Sequence, residues 1–267
     1  MKPHLLLAAL LVTSLASFAA DPAGFKTAGF KVIEEKGEVS GISGFKPMTE
    51  ELWAQVPQFP KLKTLWILGA KFLTDEKMSA LAGLTDLEEL YFDGAGDVTD
   101  EGMKVLGKFP KLKKLTIGHN LKITPKTLDL IATLPALESL HCGGTALQDF
   151  NAAARMKKLL LLKMHHCGTG KEPQRFQAGP ALREVFISSG NPKRPWTTAM
   201  PDLAGATGLT TLTIDGGVLT APELQQLAAL KKLEALALKK VNGITAEDMA
   251  KLQATLPKTK IEFIPAI

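Results

Sequence analysis

Aromatic residues are scarce in this 267-residue chain, making up 6% of it with a single tyrosine. Leucine and alanine must therefore pack most of the interior, which hints at a repetitive core. The known catalytic signatures are absent. There is no G-x-S-x-G, no G-x-x-x-x-G-K-[ST], no G-x-G-x-x-G after a strand and no H-E-x-x-H, so no common hydrolase, nucleotide-binding or zinc-peptidase site is expected. No concentrated basic stripe accompanies the net charge of +5. The bases are scattered in short PKLKK and LKK phrases, which excludes nucleic acid as an expected partner. No apolar run is long enough to span a bilayer.

The longest apolar run, Leu5 to Leu15, follows Lys2 and precedes the small-x-small step Ser17-Phe18-Ala19. That order predicts a secretory signal over residues 1–19, cleaved near Ala19. No cysteine stands just after the cleavage site, so a lipid-anchored form is not expected. The expectation is export to the periplasm or the extracellular space, and a retained N-terminal membrane anchor is the alternative.

FPKLKTLWILGA, from Phe59, and FPKLKKLTIGHN, from Phe109, are nearly the same phrase fifty positions apart. Leu62, Leu87, Leu112 and Leu137 each open the pattern L-x-x-L-x-φ, with φ apolar, at a spacing of 25. The pattern continues from Leu159, Leu182, Leu209 and Leu233. Nine, six and three residues before each opening leucine lies an apolar triad at helical spacing, such as Trp53/Val56/Phe59 or Met78/Leu81/Leu84. The last and weakest triad is Met249/Leu252/Thr255. Threonines suited to N-capping stand ahead of many triads: Thr49, Thr74, Thr99, Thr124, Thr220 and Thr245. Pro125 follows one of them at the first helical position, and Thr220 with Glu223 forms a capping box. Each unit is thus a strand, a turn, a capped helix and a return, and neither face of one unit can be buried unless units stack.

This double column resembles the leucine-rich repeat family over residues from Val39 to the C-terminus. The 25-residue period and the L-T-D or I-T-x step before the helix resemble the subset common in exported bacterial proteins. The resemblance implies an α/β fold: a curved leucine-rich repeat solenoid with a parallel β-sheet on the concave side and helices on the convex side. It also implies a binding protein, not an enzyme. Residues 20–58 are expected to form an N-terminal cap, a β-hairpin around Glu35-Lys36-Gly37 plus a helix. Residues 59–267 are expected to carry the repeats and a closing strand with Ile261 and Phe263, stopping at Pro265.

The middle departs from the period, with spacings of 22, 23 and 27 after Leu137. Pro173/Phe176/Gly179 makes a poor helix, so GTGKEPQRFQAGP is expected to be extended or 3₁₀. The loop from Ser188 to Trp196 carries Arg194 and Trp196, either as docking anchors or as a solvated loop with Trp196 folded back. Side chains alternate across a strand, so the fifth and seventh positions point outward on the concave side. The fifth-position row includes Trp66, Tyr91, His141, Lys163 and Phe186, and the seventh includes Leu68, Asp93 and His165. Trp66, Leu68 and Tyr91 form an apolar patch, open as a recognition surface or covered by the cap.

His119, His141, His165 and His166 fall on or beside this strip. Two or three imidazoles could meet, but no acidic residue stands obviously among them, and no metal ligand or cofactor is assigned. Cys142 and Cys167 occupy the sixth and ninth positions of successive repeats, a register that predicts two buried thiols. A strand slip to Leu162/His165/Cys167 would allow a disulfide. The reading is a monomeric, exported module for protein or glycan partners. Its partner-contacting residues are Trp66, Leu68, Tyr91, His141, Lys163, His165, Phe186, Arg194 and Trp196. The alternatives are a metal-binding or catalytic protein using the histidines, and a structural envelope component without a discrete ligand.

Overall fold

The structure, a computed structural model, describes residues 20–167, 175–188, 203 and 205–266. Its strands are β1 Lys31–Glu35, β2 Glu38–Ser43, β3 Thr64–Leu68, β4 Glu89–Asp93, β5 Lys114–Gly118, β6 Ser139–Gly143, β7 Asp149–Phe150, β8 Leu161–His165, β9 Arg175–Phe176, β10 Glu184–Ser188, β11 Thr211–Asp215, β12 Ala235–Val241 and β13 Lys260–Pro265. Eleven of them form one open sheet in the order β1-β2-β3-β4-β5-β6-β8-β10-β11-β12-β13, while β7 and β9 pair separately. The hairpin β1/β2 is antiparallel and turns through Lys36 and Gly37, both at positive φ, as a two-residue turn matched to strand twist requires. From β2 onward the pairing is parallel.

The register follows the leucine column. Leu65, Leu90, Leu115, Leu140, Leu162, Val185, Leu212, Leu236 and Ile261 are successive partners. Those up to Leu236 are buried, as are the opening leucines such as Leu62, Leu87 and Leu112. One row of aliphatic side chains thus runs the length of the sheet and removes apolar area from water that no single repeat could cover. The last strand pairs through Pro265, which faces Val241, and ends there.

Opposite the strands lie short helices whose N-caps are the six expected threonines. Three of the six carry a 3₁₀ turn. Asp75–Ser79 passes into a 3₁₀ turn at Ala80–Gly83, Asp100–Met103 into Lys104–Lys108, and Glu50–Trp53 is followed by Val56–Gln58. Triads spaced three and three suit three residues per turn, but Pro125–Ile131 and Ala221–Ala228 are α-helical with the same spacing. The final unit differs in its triad. Ala246–Thr255 is α-helical throughout, and there Thr255 is exposed while Leu256 is buried. The triad read as Met249/Leu252/Thr255 is therefore Met249/Leu252/Leu256, since 3.6 residues per turn favours the longer second step. Phe176 lies in β9, paired with Phe150 of β7, so this part of the irregular unit is extended.

A second ladder joins the helices. Asp75 accepts from the backbone N–H and the hydroxyl of Thr99, both at 2.7 Å. Asp100 accepts in the same way from Thr124 at 2.8 and 2.6 Å, and from Thr127 at 2.5 Å. Each aspartate opens one helix and holds the cap of the next. Gly102 is part of the device, because a Cβ there would lie 2.5 Å from Asp75 Oδ1 and 2.9 Å from Asp75 Cα.

Candidate functional site: the open sheet face

The helices cover one face of the sheet, and the other is open. Its central row is Trp66, Tyr91, Thr116, His141, Lys163, Phe186, Thr213 and Ala237, each the direct partner of the next. The neighbouring row is Leu68, Asp93, Gly118, Gly143, His165, Ser188, Asp215 and Lys239. Parallel pairing without bulges keeps these rows straight, so residues 25 apart in sequence stand one strand apart in space, about 4.8 Å.

At the β3–β4 end the rings of Trp66 and Tyr91 lie 5.2 Å apart. Phe45, from the loop after β2, packs edge-on against both, at 5.1 and 6.2 Å. The cap therefore adds a ring to the patch and leaves it open, since Phe45 is 73% exposed. Trp66 is held by its Nε1–H, which donates to Glu89 Oε1 at 2.8 Å, and Glu89 is paired in turn with Lys114 at 3.6 Å. Burial, then the charge of Asp93, pushes the Tyr91 phenol above its usual pKa. Leu68 shares the face and is half-buried. These three sequence-predicted residues lie together on adjacent strands. Phe45 was not foreseen, because it precedes the first repeat and belongs to no column.

Next along the strip come the histidines. Among the described residues, the eighth position of each repeat adopts the left-handed conformation: Gly69, Gly94, Gly144 and Gly216 do so, and so do His119, His166 and Lys240. There the chain leaves the sheet, while its N–H still donates to the next strand, as from His119 to Gly143 O and from His166 to Ser188 O. Glycine is the inexpensive residue at such a place. A side chain placed there is turned back over the rim of the open face.

Two consequences follow for the histidines. His119 Nδ1 lies 2.7 Å from Asp93 Oδ1, which corrects the expectation that no acid stands among these residues. Neighbouring glycines make the room: a Cβ on Gly118 would lie 2.7 Å from Asp93 Oδ1, and one on Gly144 2.8 Å from His119 Cδ2. Two strands on from His119, His165 and His166 meet face to edge, with ring centroids 3.9 Å apart and Nε2 atoms 3.1 Å apart. Phe186 lies 5.8 Å from His165. Lys163, between His141 and Phe186 in the central row, pairs with Glu184 at 3.5 Å. Burial, then the charges of His165 and Lys163, lowers the pKa of His141, and burial followed by His166 lowers that of His165. The signal for this geometry was present in the sequence as the column of glycines at positions 69, 94, 144 and 216.

Thus Trp66, Leu68 and Tyr91 form one group, and His141, Lys163, His165 and Phe186 a second, with β5 between them. Arg194 and Trp196 lie outside the described residues. Cys142 and Cys167 are both buried thiols in the expected register, and the Cys167 thiol donates to the backbone carbonyl of Cys142 at 3.1 Å. Asn120, in the ninth position like Cys167, donates to Val98 O at 2.9 Å and accepts from Lys122 N at 2.9 Å.

No family model matches the sequence, and no curated protein matches it. Solved structures match its shape. The Toll chain of the Drosophila Toll–Spatzle complex is similar with a TM-score of 0.53 at 15% identity, over 80% of this chain and 31% of that one. Leucines in register along a parallel sheet, helices on one face only, and this likeness decide the fold. The chain is a leucine-rich repeat solenoid. An LRR protein of Leptospira interrogans is similar to the solenoid with a TM-score of 0.43 at 20% identity, over 78% of this chain and 45% of that one. Internalin C2 of Listeria monocytogenes gives 0.43 at 20% identity, over 71% of this chain and 73% of that one. The solenoid spans under half the length of the Leptospira chain and about a third of the Toll chain. Among the described residues, no helix is long and apolar enough to cross a membrane.

Proposed function

We propose that this leucine-rich repeat solenoid is an exported, non-catalytic binding module that takes a protein partner on its concave face. The single observation behind the reading is the ring cluster of Phe45, Trp66 and Tyr91. An exposed phenylalanine seated on two aromatic rings, one of them pinned by Glu89, presents large apolar area on a rigid sheet. Preorganised aromatic anchors lose little side-chain freedom on binding and are the usual centres of interface energy. His141, Lys163, His165 and Phe186 extend the contact strip towards β10, and Arg194 and Trp196 are further candidate anchors. Residues 1–19 supply the export signal, residues 20–58 cap the first repeat, and residues 59–267 carry the repeats and the closing strand. The module acts as a monomer.

The test is a crosslinking pull-down from the exported fraction with wild type and with a Phe45→Ala/Trp66→Ala/Tyr91→Ala variant of matched stability. A protein retained by wild type, lost by the variant, and bound again when purified supports the reading. Equal retention by both places the contact elsewhere on the solenoid. Binding to carbohydrate and to no protein would make the ligand a glycan, and capture of nothing would favour a structural role in the envelope. N-terminal sequencing of the exported chain checks the leader, and a start at Met1 would contradict it.

A further inference from the structure

Consecutive residues of a strand point to opposite faces, so His165, at the end of β8, and His166, just after it, should not meet. They meet because His166 takes the left-handed conformation, with φ +53°, at the position where four other repeats carry glycine. The result is a pair of imidazole Nε2 atoms 3.1 Å apart. Two nitrogens bound to one metal ion at about 2.0–2.1 Å, as cis square-planar or tetrahedral ligands, stand about 2.8–3.4 Å apart. The observed separation falls in that range.

Among the described residues, small residues of the adjoining strands flank the pair. On the preceding repeat, Gly143 and Gly144 are the partners of His165 and His166 in their columns, and the space left by their missing side chains is faced by the His141 and His119 rings. On the following strand Ser188 is small and buried, and the Phe186 ring backs His165. His166 is exposed. Among the described residues no three His, Cys, Asp or Glu side chains converge on one metal position, so a metal held here keeps open coordination positions.

We propose that His165 and His166 bind a divalent transition metal ion through their two Nε2 atoms, with Cu²⁺ preferred. Imidazole is a ligand for copper, nickel and zinc, and for a site of fixed ligands affinity rises along the series to copper. In the metal-free protein one Nε2–H donates to the other Nε2. On binding, that proton moves to Nδ1 of the same ring, both Nε2 lone pairs go to the metal, and no net proton is released by two neutral rings. Water, or a ligand atom from a bound partner, fills the remaining positions. The inference does not depend on the aromatic platform or on the partner.

The experiment uses the whole chain, expressed without a histidine tag and stripped with a chelator, then titrated with Cu²⁺. Affinity is read by titration and coordination by electron paramagnetic resonance. The expected result is one Cu²⁺ per chain with hyperfine coupling to imidazole nitrogen. His166→Gly installs the residue that the fold prefers at this place, so the variant folds, and its Cu²⁺ affinity is expected to fall at least tenfold. His119→Gly, the same change two repeats away in the same column, is expected to leave binding unchanged. Equal affinity of wild type and His166→Gly, a loss only in His119→Gly, or the absence of nitrogen coupling overturns the proposal.

Discussion

Asp100 Oδ2 accepts the hydroxyl of Thr124 at 2.6 Å, joining the start of one convex helix to the cap of the next. The same carboxylate takes the Thr124 N–H and the Thr127 hydroxyl. Hydrogen bonds to a charged group contribute about 1.5–3 kcal/mol. Asp100→Ala is therefore expected to lower unfolding stability by about 2 kcal/mol, measured by urea denaturation with unchanged slope. Asp97→Ala, which removes only an exposed pair with Lys122, should stay within about 0.5 kcal/mol.

The two ladder aspartates also set an acid dependence. Burial alone would raise their pKa values, but for Asp75 the Thr99 and Gly102 bonds, and for Asp100 the Thr124 and Thr127 bonds, outweigh it and hold both carboxyls below the usual range. A depressed carboxyl stabilises the fold above its unfolded pKa of about 3.9, and that stability is lost as pH falls through the folded value. The urea midpoint should thus decline below about pH 4. The decline should be shallower in an Asp75→Asn/Asp100→Asn variant. Parallel declines would show that other carboxylates dominate.

The eighth position predicts opposite signs for two exchanges. Lys240, exposed at φ +52°, bears left-handed strain of about 1–2 kcal/mol, against about 0.5–1 kcal/mol for the extra chain entropy of glycine. Lys240→Gly should be stabilising by up to about 1 kcal/mol. Gly144→Ala adds both the strain and a contact 2.8 Å from His119 Cδ2, and should be destabilising by about 1–3 kcal/mol. Thermal unfolding of the two variants compares them directly.

Cysteine reactivity provides a further check. Burial pushes the Cys142 thiol well above its usual pKa and Cys167 to about 11. The reactive species is the thiolate, so a thiol reagent at neutral pH should modify the folded protein slowly. Unfolding without reductant should release two titratable thiols. Release of none would mean a disulfide in the protein as produced.

Hydrophobic periodicity alone determined the repeat, the strand register, the threonine caps and the two outward rows. Each follows from local spacing and from the need of every unit to bury its apolar side against the next. Trp66 with Tyr91, and His141 with Lys163, could be placed on one face because the register is a count of residues. Tertiary structure decided what a count cannot reach. Phe45 joins the platform because the loop after β2 folds over the first repeats, and that loop has no column to mark it. Asp93 reaches His119 because Gly118 and Gly144 leave space, which is a relation among three repeats. The choice between α and 3₁₀ turns, and the shift from Thr255 to Leu256, are not marked by the triad spacing, which is the same in both kinds of unit. His165 meets His166 because a sheet ladder that must continue past the strand end forces the eighth residue into the left-handed region. Sequence fixes side-chain direction only while the chain stays in a regular element. Where it leaves the sheet, the backbone turn sets direction, and that turn is imposed by the neighbouring repeat.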